Sequence, residues 1–256
     1  MKEYMLRNSK YKIRYFDFQA GQAGKTPILF IHALGCAGSF DYVDLAFHKV
    51  LKDNRKIVVD LLGAGYSDKP KDFIYSVKSH AKYLNEFIED IALTKVIIYG
   101  HSLGGAIAIE LCNLCGDIVE KLILNEPNLE PSTKGAASWD LAQLNRKNLE
   151  AEMLLQIEEY ENEGNTMWVS TLRNWLPKAA YEISQDAVYG GEPSWKTILF
   201  SLDLPKCFIF GEKSLPDKDY DELQCKHEDI KIVKNAGHSM AWENSADLAF
   251  AIKNCL

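Results

Sequence analysis

A short apolar run, residues 96–99, ends in Gly100-His101-Ser102-Leu103-Gly104 and passes at once into the small and apolar residues 105–109. The first run is brief and rich in β-formers, so it reads as a buried strand; the second reads as a buried helix. A chain that reverses from strand to helix within one residue forces that residue into a strained backbone conformation. Bulky side chains two positions to either side would clash with the turn, which accounts for a G-x-S-x-G spacing. The serine hydroxyl is thereby held clear of the backbone, at the positive end of a helix and beside free N–H groups. Ser102 is therefore the candidate nucleophile. The bland alternative is a glycine-rich turn, and the strand before and helix after argue against it.

Further elements repeat this alternation. Residues 10–18 alternate polar with apolar, as a half-exposed strand does, and Gly21 to Lys25 supplies a turn. Residues 27–31, 56–60, 121–125 and 206–210 form compact apolar runs suited to strands buried on both faces. Residues 39–51 have mixed helical spacing. Residues 76–91 place Val77, Ala81, Leu84, Ile88 and Ile91 on one helical face, with Ser76 as N-cap. A short strand at 229–234 and a helix at 246–256 close the chain, with His238 in the loop between them. Strands alternating with helices predict an α/β fold with a mostly parallel sheet flanked by helices.

Residues 127–199 break the pattern. They hold helical spacing interrupted by Gly, Pro and Asn, no compact apolar strand, and four of the five tryptophans: Trp139, Trp168, Trp175 and Trp195. The expectation is a helical cap inserted into a core made of residues 1–126 and 200–256. The acidic stretch from Glu158 to Glu163 reads as a solvated helix face.

The net charge of −7 argues against a nucleic-acid partner. Six cysteines are too few for a disulfide scaffold. Cys112 and Cys115 form a C-x-x-C, but without a second pair or a nearby histidine they read as buried structural thiols rather than a metal site. The first ten residues are charged throughout and lack a signal-peptide core, and no run of about 18 apolar residues marks a membrane span. A cytoplasmic location and no membrane span are expected.

Four segments together resemble the α/β-hydrolase family: Gly100 to Gly104, His32-Ala33-Leu34-Gly35, the glycine-rich turn from Asp60 to Ser67, and Ala236-Gly237-His238. The resemblance covers nearly the whole chain. It implies that Ser102 is the nucleophile, that His238 is the catalytic histidine, and that the N–H groups of Leu34 and Leu103 form an oxyanion hole. Ala33 departs from the family, which usually has glycine there. His32 and His101 occupy motif positions that are structural in the family. The resemblance implies no cofactor and no metal.

The acid is the larger departure. Many members carry an aspartate in a Gly-Glu-x-Asp arrangement after the strand that here ends at Phe210, and this chain has Gly211-Glu212-Lys213-Ser214 instead. Other members place the acid at the end of the strand after the nucleophile helix, where this chain has Asn125-Glu126-Pro127. Glu126 is the preferred acid, with Pro127 expected to hold it extended. Asp217, from the loop after residue 210, is the alternative, and Glu212 is assigned to the turn.

A serine hydroxyl is almost un-ionised at neutral pH and needs a base, a role that suits His238. The expected activity is acyl transfer on a small, largely apolar carboxylic ester, the tryptophans suggesting an apolar pocket. Peptidase, lactonase, thioesterase and carbon–carbon bond hydrolase activities are alternatives within the same chemistry. A small-molecule receptor that turns over slowly or not at all is the rival from another class. Serine rather than aspartate at 102 argues against dehalogenase or epoxide hydrolase chemistry.

Overall fold

The computed structural model describes residues 1–19 and 25–256. The turn expected over Gly21 to Lys25 lies almost wholly outside the described residues. Eight strands form one sheet: β1 Lys2–Met5, β2 Lys12–Phe18, β3 Lys25–Ile31, β4 Asn54–Asp60, β5 Val96–His101, β6 Val119–Asn125, β7 Lys206–Gly211 and β8 Ile230–Val233. Their spatial order is β1-β2-β4-β3-β5-β6-β7-β8. The first two pairings are antiparallel and all the others parallel.

The continuous apolar runs are explained by what covers each face. In β3, Leu29 and Ile31 belong to one buried cluster while Ile28 and Phe30 belong to another, because successive side chains leave a strand on opposite sides. The first cluster takes in α3 (Val77–Asp90) and α4 (Leu103–Cys115). The second takes in Tyr42, which follows the short helix α1 (Gly38–Asp41), and residues of the short helix α2 (Val43–Phe47) and of the closing helix. A residue such as Ile123, fully buried in β6 and paired with Tyr99 and Cys207, contributes about 1.5–3 kcal/mol by leaving water.

Between β6 and β7 there is no strand. The chain forms α5 (Ala137–Ala142), α6 (Leu149–Asn162), α7 (Thr166–Leu172), α8 (Pro177–Tyr189) and α9 (Trp195–Ser201). Three further helices follow: α10 (Lys218–Cys225), α11 (Met240–Glu243) and α12 (Ser245–Cys255). Ser76 caps α3 as expected, its side chain accepting a hydrogen bond from the Ser79 N–H. The Glu158 to Glu163 stretch is exposed apart from Tyr160.

Two features depart from the sequence reading. The charged N-terminus contains a strand, β1, whose residues are mostly exposed. It is an edge strand, where charge discourages pairing with other chains, and its Glu3 meets Lys12 and Arg14 across the ladder. Second, Cys207 in β7 and Cys255 at the end of α12 form a disulfide across 48 residues. That pairing depends on how the last helix packs, so spacing did not reveal it. Cys112 is buried, Cys115 half-buried, and both are free thiols. No helix among the described residues is long and apolar enough to cross a membrane.

Candidate active site

β5 ends at His101, α4 begins at Leu103, and the single residue between them, Ser102, has φ +53° and ψ −122°. A non-glycine residue in such a region costs about 1–3 kcal/mol and persists only where its surroundings enforce it. They do so here: the Ser102 N–H donates to the Asn125 carbonyl at 2.9 Å, and the Ser102 carbonyl accepts from Gly105 and Asn128. Gly104 lets α4 lie against the end of β3, since a Cβ there would fall 2.4 Å from the His32 carbonyl oxygen.

The Ser102 hydroxyl donates to Asn128 Oδ1 at 3.3 Å, and Asn128 Nδ2 donates to Ser132 Oγ at 3.1 Å. No motif in the sequence marks Asn128; it is found only because the chain after β6 doubles back over the turn at Ser102. No hydrogen bond joins Ser102 to His238 among the described residues, although both side chains line one pocket.

His238 Nδ1 lies 2.6 Å from Glu126 Oε2. An ionised carboxylate only accepts, so Nδ1 carries the proton and Nε2 of the neutral ring is the acceptor. Glu126 does not have the extended backbone expected before Pro127. Its φ is +39°, because its N–H is already tied to the Ile209 carbonyl and the chain must turn sharply off the sheet. That turn directs the carboxylate to the end of β7, where Oε1 accepts the Gly211 N–H at 2.8 Å. Burial alone would raise the Glu126 carboxyl, but His238 and the Gly211 N–H together hold it below the ordinary value. The Ser214 hydroxyl, at the position where the family often has its acid, adds a smaller pull in the same direction.

Asp217 also reaches the pocket wall, but its Oδ1 caps α10 by accepting the Tyr220 N–H at 2.9 Å. His101 supports the His238 loop, its Nε2 donating to the His238 carbonyl at 2.9 Å. Burial, with His238 close by, pushes the His101 ring down to about 3, so it stays neutral.

The 33–36 loop is held by its carbonyls. His32, fully buried, donates from Nδ1 to the Ala33 carbonyl at 2.8 Å and accepts the Leu61 N–H at Nε2. Trp168 Nε1 donates to the Leu34 carbonyl at 2.8 Å and Trp175 Nε1 to the Cys36 carbonyl at 2.7 Å. The Leu34 N–H has no acceptor among the described residues. Leu103 is the first residue of α4, so its N–H has no acceptor within the helix.

These groups open onto a cavity of about 540 Å³. Of the five tryptophans only Trp168 lines it; Trp175 and Trp195 are buried away from it. The walls mix apolar residues such as Leu34, Leu129 and Phe210 with the polar side chains of Asn128, Ser132, Thr133, Ser138 and Asn165. Among the described residues no lysine or arginine lines the cavity, whereas Glu126, Glu130, Asp217 and Asp219 do. Lys196, just outside, pairs with Glu130 and Asp219. No group of three or more His, Cys, Asp or Glu among the described residues is arranged to hold a metal ion.

Comparison with known proteins agrees with this architecture. An esterase from Exiguobacterium antarcticum superposes with a TM-score of 0.77 at 16% identity, covering 99% of this chain and 98% of that one. An enol-lactonase from Burkholderia xenovorans LB400 superposes with a TM-score of 0.77 at 13% identity, over 99% of each chain. At such identities the likeness speaks for the fold alone. In sequence, a proline iminopeptidase from Lactobacillus helveticus is 31% identical over 157 residues, 59% of this chain and 51% of that protein. A probable lysophospholipase, BODYGUARD 4, from Arabidopsis thaliana is 32% identical over 108 residues, 41% of this chain and 26% of that protein. The chain thus spans between 26% and 51% of the length of these curated relatives. The family model for the alpha/beta hydrolase fold matches residues 26–179, more than half the chain and the stretch that holds the 33–36 loop, the Ser102 turn and Glu126. The chain belongs to the α/β-hydrolase family.

Proposed function

We propose that the protein is a serine hydrolase that cleaves a small carboxylic ester through an acyl-enzyme. Ser102 is the nucleophile, His238 the general base and then acid, and Glu126 the carboxylate that orients the imidazole. The observation that carries this reading is the 2.6 Å contact between His238 Nδ1 and Glu126 in the pocket that Ser102 enters on a strained turn. Residues 127–199 act as a cap over a core of residues 1–126 and 200–256.

In the first step the Ser102 hydroxyl leaves Asn128 and turns to His238 Nε2, which takes its proton as Oγ bonds to the acyl carbon. The negative charge that develops on the carbonyl oxygen is met by the Leu34 and Leu103 N–H groups. The imidazolium, stabilised by Glu126, returns the proton to the departing alkoxide as the carbon–oxygen bond breaks. Water repeats the sequence on the acyl-enzyme, releasing the carboxylic acid and restoring Ser102. No step calls for a cofactor.

The acidic, cation-free cavity disfavours substrates that carry a negative charge, and its hydroxyl and amide groups suit an acyl group with a polar portion. Relatives described as an esterase, a lactonase, a lysophospholipase and an iminopeptidase fit the same acyl-transfer scheme. The engagement of the Ser102 hydroxyl with Asn128 favours a second reading, a receptor that holds a small molecule without turning it over. A series of neutral p-nitrophenyl esters and lactones, run beside a fluorophosphonate probe, separates the two. Covalent label on Ser102 with steady turnover supports the hydrolase. Saturable ligand binding with neither label nor turnover assigns the receptor.

A further inference from the structure

We propose that Trp168 and Trp175 are positioning residues for the oxyanion hole, holding the 33–36 loop in the conformation that presents the Leu34 N–H. The proposal rests on the hydrolase reading above.

Within a trans peptide unit the carbonyl and the following N–H point in opposite directions. The Ala33 carbonyl is held by His32 Nδ1 and by the Cys36 N–H, so the Leu34 N–H must face the other way. The neighbouring units are fixed in turn by the two indoles, one on the Leu34 carbonyl and one on the Cys36 carbonyl. Every carbonyl of the loop that has a partner thus has a buried one, and the Leu34 N–H is left over. His32 comes from the same stretch of chain, but the indoles lie 134 and 139 residues downstream.

Gly35 shows that the loop is fitted to this contact. Its φ is +74°, and a Cβ there would lie 2.4 Å from Trp168 Nε1. Trp175 also packs edge to face with His32, with ring centroids 5.9 Å apart, so two supports of the loop touch each other. Trp195 provides a contrast within the same segment. It is also buried, but its Nε1 has no hydrogen-bond partner among the described residues.

The consequence is that the helices between β6 and β7 help to build the reaction centre as well as cover it. A hydrogen bond from an indole is lost in Trp→Phe, while most of the apolar ring remains. Trp168→Phe and Trp175→Phe are each expected to lower kcat/KM about tenfold, less than the 10²–10³ typical when an oxyanion donor is removed outright. The loss should fall on kcat, with KM changing less than about threefold. Affinity for a trifluoromethyl ketone, which forms a tetrahedral adduct on the serine, should weaken by the same factor as kcat/KM. Trp195→Phe should leave all three quantities unchanged. Each indole is tested by its own variant, so should one Phe variant fail to fold, the other decides the matter. If the wild type takes no fluorophosphonate label at Ser102, the hydrolase reading fails and the clamp with it. If the wild type is labelled and the folded Phe variants keep wild-type kcat and ketone affinity, the clamp alone is overturned.

Discussion

In the sheet, burial follows the period of the strand: Ile28 and Phe30 serve one cluster and Leu29 and Ile31 the other. In the helices between β6 and β7, two tryptophans of the same segment behave differently. Trp168 bonds the Leu34 carbonyl across 134 residues, while the Trp195 indole N–H has no hydrogen-bond partner among the described residues. The first region is governed by backbone geometry, which assigns each side chain a face before any packing is known. The second is governed by what each helix meets, and its residue types do not say which tryptophan N–H finds an acceptor and which does not.

The largest test of this contrast is at the turn between β5 and α4, where the strand delivers a single residue. Ser102→Ala is expected to lower ester turnover by at least about 10³-fold with secondary structure intact. Turnover near the wild-type rate in the folded variant would remove Ser102 from the mechanism.

Next in size is the choice between two carboxylates, one at the end of β6 and one at the start of α10. Glu126→Gln should lower kcat by about 10²–10⁴-fold, because with the amide oxygen kept by the Gly211 N–H the NH2 group faces His238 Nδ1 and favours the wrong tautomer. Asp217→Asn should change kcat less than about threefold, since its bond to the Tyr220 N–H caps a helix. The opposite ranking would transfer the acid role to Asp217.

The two regions should also differ in stability. Ile123→Ala removes a fully buried side chain from the middle of the sheet and should cost about 2–5 kcal/mol in denaturant unfolding. Leu154→Ala, on the outer face of α6 with 55% of its surface exposed, should stay within about 0.5 kcal/mol. Equal losses would mean that the segment is as tightly built on its outside as the sheet is within.

The smallest effect concerns a carboxylate on the core side of the site. Burial pushes Asp41 up to about 7, outweighing the Ala37 N–H that donates to it at 2.7 Å. Its charged form is the costly one when folded. Stability should therefore fall as pH rises from about 4, the unfolded carboxylate's range, to about 7, and level off above that. Asp41→Asn should remove this slope, a difference on the order of a few degrees in Tm between pH 5 and pH 8. Parallel curves for the two proteins would show that Asp41 does not titrate in that interval. Glu126 has the opposite sign: held below its ordinary value, it favours the folded state at neutral pH and loses that contribution only in acid.

Much of this molecule was legible in one dimension. The strand runs, the Ser76 cap and the one-residue turn at Ser102 follow from local spacing, because a strand's period and a one-residue reversal are local constraints, whereas Glu126 and His238 were singled out by a family resemblance. The edge strand β1 escaped notice because its charges serve exposure rather than burial. The positive φ of Glu126 also escaped, since its N–H bond to the Ile209 carbonyl comes from a strand that begins some eighty residues later.

What tertiary structure alone decided are the contacts between distant segments. They include the Cys207–Cys255 disulfide, the hold of Asn128 on the serine hydroxyl, and the two indoles on the loop that carries Leu34. Each is a hydrogen bond or covalent link whose partner is chosen by how helices dock, and docking depends on the shapes of whole surfaces. A residue's own neighbours carry no record of that. The amino-acid order sets which chemical groups are present, and the docking of distant segments sets which of them meet.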